Sequence, residues 1–116
     1  MKKIEAIIRK EKLERVKMLL ATLGYHGMAV AEVSGLGSQE ENLSKVGSRE
    51  HRPGFLPKLK IELVINDDDV SQVLSAIVRG AKTGEMDDGN IFVIPIESMV
   101  KVCTADYSIN AVTKVK

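Results

Sequence analysis

Few side chains in this sequence could carry covalent or metal chemistry. Cys103 is the only cysteine, so no intramolecular disulfide can form. His26 and His51 are the only histidines and stand far apart, and no Cys/His set has zinc-ligand spacing. The acidic run Asp67-Asp68-Asp69 lies ahead of a helical pattern, where carboxylates cap free N–H groups and complement the macrodipole. It has no second cluster with which to hold a metal. Cys103 falls on an expected strand and reads as a small buried residue, and His26 reads as a turn residue between Gly24 and Gly27. No catalytic residue and no metal ligand is assigned. Gly35-Leu36-Gly37 permits close backbone approach, but by itself it is a turn signal.

The elements that must position these residues are written twice. Lys3-Ile4-Glu5-Ala6-Ile7-Ile8 leads into Leu13, Val16, Leu19, Leu20 and Leu23, a strand followed by an apolar stripe at helical spacing. Lys60-Ile61-Glu62-Leu63-Val64-Ile65 leads into Val70, Val73, Leu74, Ile77 and Ala81 in the same way. Each helix is followed by a further strand, Met28–Val33 after the first and Asn90–Ile96 after the second. A short fifth strand is expected over Met99–Cys103, ahead of a polar tail at about 104–116. Tandem βαβ units give an α+β, ferredoxin-like βαββαβ sandwich, an antiparallel sheet with two helices on one face. Leu59, Ile61, Leu63 and Ile65 should face the helices. Glu5, Ile7, Lys60, Glu62 and Val64 then form an outer face of mixed charge and aliphatic character that suits a subunit interface.

Composition bounds the function. The chain has 116 residues, 44% hydrophobic and 28% charged, which fits one globular domain spanning 1–116. A net charge of +1 gives no electrostatic argument for nucleic acid or an acidic membrane. Aromatics at 3%, with no tryptophan, argue against a base-stacking platform. No stretch approaches a membrane span and the N-terminus has no signal-peptide core, so the expectation is a cytoplasmic protein with neither nucleic acid nor membrane insertion. One segment breaks economy: from Ser38 to Gly54 the chain is polar apart from Leu43 and Val46, far longer than an ordinary connection.

That long loop, together with the residues at its ends, resembles the PII family of nitrogen and carbon signalling proteins. The resemblance rests on Met1–Ile8, Gly27-Met28, Glu32–Gln39, Phe55–Glu62, Thr83-Gly84, and Asp88-Gly89 with Ile91-Phe92-Val93. It implies a homotrimer with adenine-nucleotide clefts between subunits. It also implies a signalling loop, about 37–55, through which a target transporter or metabolic enzyme is contacted. Carried over position by position, it places Ile7, Gly35, Gly37, Ser38, Gln39, Glu62, Val64, Asp88, Gly89, Asn90 and Lys101 at the nucleotide. Gln39 and Lys58 stand where a 2-oxoglutarate-type ligand is held, and Arg49, His51 and Arg52 lie on the target-binding loop.

The departures from the family pattern fall on the phosphate-facing residues. Asp87-Asp88-Gly89-Asn90 stands where the family has Gly-Asp-Gly followed by Lys or Arg, and Lys101 and Cys103 stand for two arginines. Positive charge is lost and a carboxylate added, so ADP or AMP is expected to be favoured over ATP as effector, with no obligatory cofactor and magnesium left open. His51 replaces the tyrosine that uridylylated members carry, so regulation by modification of that tyrosine is not available. The expectation is a regulator and not an enzyme, in nitrogen metabolism. Alternatives are a PII-like regulator tied to bicarbonate or metal transport, and a small acyl-phosphate hydrolase on the same fold. The hydrolase would need an arginine-anchored phosphate loop, and no glycine-rich cradle follows Arg9.

Overall fold

Alternation of apolar and polar residues fixes which way each strand faces, and a computed structural model of the chain shows the result over residues 1–35 and 56–104. Strand β1 (Lys2–Ile8) turns Ile4, Ala6 and Ile8 into the core and Lys3, Glu5 and Ile7 away from it. A single 3₁₀ turn, Lys10–Lys12, leads into α1 (Leu13–Thr22), which buries Val16 and Leu20. Strands β2 (Ala29–Gly35) and β3 (Leu56–Ile65) follow, then the 3₁₀ turn Asp67–Asp69, α2 (Val70–Ala81) and β4 (Asn90–Pro95).

The four strands form one sheet in the order β2-β3-β1-β4, with each neighbouring pair antiparallel. This is the expected ferredoxin-like βαββαβ arrangement. Leu59, Ile61, Leu63 and Ile65 line the core with β1 and the helices, as the alternation requires. Gly80 lets the helices close together: a Cβ there would lie 2.9 Å from Val16 Cγ2 and 3.0 Å from Val16 Cα.

Three expectations are revised. Asp67–Asp69 does not cap α2 through its N-cap side chain: neither Asn66 nor Asp69 makes a side-chain capping bond. Tertiary partners compete for these carboxylates instead. Asp67 receives Lys2 Nζ at 2.9 Å, and Asp69 receives the hydroxyl of the buried Tyr25. The fifth strand is reduced to an isolated bridge at Lys101 within an otherwise strandless segment. A strand exists through its partner, and among the described residues the segment makes no pairing beyond that bridge. For the same reason Cys103 is exposed rather than buried. The whole 37–55 loop lies outside the described residues, and the tail from residue 105 does as well.

Candidate functional site

The residues with chemistry gather where the turn before β4 folds back on the end of β1. Asp88 organises that turn. Its carboxylate accepts the Thr83 N–H at 2.8 Å, the Gly84 N–H at 2.9 Å and the Thr83 hydroxyl, and Arg9 Nε donates to it at 3.1 Å. Burial alone would raise the Asp88 pKa, but the Thr83, Arg9 and Gly84 hydrogen bonds outweigh it and hold the carboxyl well below the usual range. Gly89 then runs against β1 with φ +118°, and a Cβ there would lie 1.7 Å from the carbonyl oxygen of Ile7. Only glycine fits. The close approach sets Asn90 directly opposite Ile7 as β4 begins.

Asp87 and Lys58 complete the corner. The Asp87 carboxylate accepts a hydrogen bond from Arg9 Nη2, so Arg9 spans Asp87 and Asp88. Burial works against the Arg9 charge, yet these two carboxylates raise its pKa above the ordinary value. Lys58 is the buried charged residue among those described, 5% exposed, and its ammonium donates to the backbone carbonyl of Asp87. Desolvation lowers the Lys58 pKa against the opposing pull of Asp87. By sequence alone Asp87 is a carboxylate added near the expected phosphates. The structure gives it a cationic partner.

Ile7, Asp88, Gly89 and Asn90 line a cavity of about 180 Å³, closed on its other side by Ile77, Ala81 and Lys82. That is below the roughly 300–1,000 Å³ of sites that enclose a drug-sized ligand. Glu62 and Val64 are not at this cavity. They share the outer face of the sheet but lie opposite Glu5 and Lys3, two and four residues along β3 from Lys60, the partner of Ile7. Gly35 ends β2 opposite Leu56, and Lys101 is exposed. Gly37, Ser38, Gln39, Arg49, His51 and Arg52 lie outside the described residues.

On the outer face the charges are organised. Lys3 Nζ lies 3.1 Å from both Glu5 and Glu62, and Lys60 Nζ lies 3.7 Å from Glu62. Glu5 and Glu62 are direct cross-strand partners, and Lys3 lets two facing carboxylates coexist. Hydrogen bonding to Lys3 lowers the Glu62 pKa. Phe92 and Ile94 extend this face along β4, opposite Glu5 and Lys3, with Phe92 47% exposed.

Sequence reasoning missed two arrangements. One is the Thr83–Asp88 closure of the turn, for which the hydroxyl residue five positions ahead of an Asp-Gly pair was the available signal. The other is Tyr25 packed in the core with its hydroxyl on Asp69. The available signal was a tyrosine at a helix end between apolar runs, whose hydroxyl needs a partner when the ring is buried.

The model of the family described as Nitrogen regulatory protein P-II matches residues 1–106. The chain belongs to this family. A Nitrogen regulatory protein P-II from Nostoc punctiforme is 42% identical over 97% of the chain and 100% of its own length. One from Microchaete diplosiphon is 43% identical over the same shares. A Nitrogen regulatory protein P-II 2 from Methanothermobacter thermautotrophicus is 46% identical, covering 97% of each chain. As a P-II protein it is a signal-transduction regulator and not an enzyme. The hydrolase alternative falls with that, and Arg9, the arginine at the end of β1 considered as its phosphate anchor, is held by two carboxylates. Among the described residues no helix is long and apolar enough to cross a membrane.

Proposed function

We propose that this P-II protein is a homotrimer that senses adenine nucleotides at clefts between subunits. Through its 37–55 loop it regulates a target transporter or enzyme of nitrogen metabolism in the cytoplasm. One observation carries the reading: Ile7, Asp88, Gly89 and Asn90 are assembled at one corner, while Glu62 and Val64 occupy a separate stretch of the outer face. A single chain offers only part of a nucleotide site, and a neighbouring copy would supply the rest. The paired charges and exposed Phe92 on the outer face are the surface a second copy would cover.

Within such a cleft Asp88 is committed to its own turn, so it contributes shape. Gly89 allows close approach and Asn90 offers an uncharged amide where a base would favour a terminal phosphate. ADP or AMP therefore binds at least as well as ATP, and 2-oxoglutarate adds little. Light scattering should give a trimer mass at micromolar concentration, and titration calorimetry should show AMP or ADP matching ATP. A monomer, or tight magnesium-ATP binding strengthened by 2-oxoglutarate, would overturn this reading. The departures at Asp87, Asn90 and His51 favour one second reading, a P-II-type regulator tied to bicarbonate or metal transport. Capture of such a transporter, and not of an ammonium transporter, through the 37–55 loop would select it.

A further inference from the structure

Lys58 and Arg9 are two cations held inside one corner of the site. The Lys58 ammonium has three donors and is 5% exposed, with the charges of Asp87, Asp88 and Glu11 near enough to favour its protonated form against burial. Its hydrogen bond goes to a backbone carbonyl, that of Asp87. Arg9 is 21% exposed and is spanned by Asp87 and Asp88. The two carboxylates differ in what else they do. Asp88 is committed to the turn through the Thr83 hydroxyl and the Thr83 and Gly84 N–H groups. None of those turn bonds is made to Asp87. Both halves of Asp87, carboxylate and carbonyl, point at the cations that an acidic ligand group would seek.

We propose that Asp87 is a built-in competitor for anionic ligands: its carboxylate holds Arg9 and its carbonyl holds Lys58, so that an acidic group entering this corner must displace it. The proposal rests on the nucleotide reading above and adds its regulation. Discrimination against a terminal phosphate then comes from cations already satisfied within the chain. It does not come from a free carboxylate repelling the ligand. Replacing Asp87 with an amide leaves the corner one positive charge richer, with Lys58 still buried beside it. Ligands with few phosphates, which do not extend to this corner, are unaffected.

The test is a double-mutant cycle read by calorimetry with ATP and AMP, on protein whose fold is checked by circular dichroism. Asp87→Asn should raise ATP affinity about tenfold, the scale of one charge-assisted contact, with little change for AMP. In an Arg9→Gln background the same substitution should gain less than about twofold, because there is no arginine to release. An equal gain in both backgrounds is simple repulsion and overturns the proposal, as does no gain in either. Asp87→Gly should reproduce the result should the amide disturb the turn. A ligand-free readout separates this idea from the nucleotide reading. The Arg9 guanidinium should show slow rotation by nitrogen NMR in the native protein and fast rotation in Asp87→Asn. If no variant binds AMP or ATP, the nucleotide reading fails while the guanidinium still decides the competitor. Identical Arg9 signals in both proteins overturn it.

Discussion

Gly89→Ala tests the close approach on which the whole corner depends. The Ile7 carbonyl oxygen would lie 1.7 Å from the new Cβ and the Ile7 carbonyl carbon 2.8 Å away, both inside the 3.0 Å below which something must shift. Ile7 cannot yield alone, because β1 is paired on both sides, with Lys60 across β3 and Asn90 across β4 at that level. The backbone at φ 118°, ψ −168° adds about 1–3 kcal/mol for a residue with a Cβ. Separating the first pair of the β1–β4 ladder adds roughly another 1 kcal/mol per lost hydrogen bond. With one such bond lost, the total expected loss is about 2–4 kcal/mol. Gly84→Ala is the control, since Gly84 also has positive φ, +94°, but open space around its Cβ position. It should cost only the conformational part, about 1–2 kcal/mol. Urea unfolding at one fixed protomer concentration measures both, because association would otherwise shift the midpoint. A Gly89→Ala midpoint equal to or above that of Gly84→Ala would refute the reasoning.

Two further outcomes follow from buried polar partners. The pKa of Tyr25 is pushed up to about 12 by burial and by the hydrogen bond to Asp69, against about 10 when unfolded. Its contribution is therefore complete below pH 10 and lost as pH rises from 10 toward 12. Tyr25→Phe should remove that alkaline loss and cost about 1–3 kcal/mol at neutral pH, as measured by chemical denaturation across pH. Asp88 behaves oppositely: its depressed pKa means the stability it adds is present above the free carboxylate range, about 3.9, and is lost as pH falls below it. Asp88→Asn should flatten the acid limb of melting temperature against pH, and an unchanged limb would show that the turn does not use that charge.

The frame of the molecule was legible because it rests on periodicity. Val16 and Leu20, and Val73 and Ile77, stand four apart and are buried, and α2 spans the stretch that its apolar stripe marks. Strand facing was equally plain, from Ile4, Ala6 and Ile8 against Leu59 to Ile65. The candidate site was legible in part. Ile7, Asp88, Gly89 and Asn90 do assemble, while Glu62 and Val64 sit elsewhere on the same face. What alternation could not show is burial supplied from outside the sheet. Lys58 shares the outer face with Lys60 and Glu62 by strand parity, and it is buried where the turn containing Asp87 reaches it.

Asp87 marks the boundary between those two kinds of information. Along the chain it is an added negative charge near the expected phosphates, and a linear count makes it a repulsive group. Folded, it is 10% exposed and bonded to Arg9, so much of its field is cancelled before any ligand arrives. The two pictures differ in their response to salt. Repulsion between a solvent-facing carboxylate and a polyphosphate is screened within a Debye length of about 10 Å at 0.1 M and fades further as salt rises. Displacing a pair that is largely withdrawn from solvent is screened far less. The gain in ATP affinity from Asp87→Asn should therefore persist, within about a factor of two, from roughly 0.05 M to 0.5 M salt. A gain that disappears over that range would return Asp87 to the role of a free surface charge, and Arg9 would have to be read as a bystander.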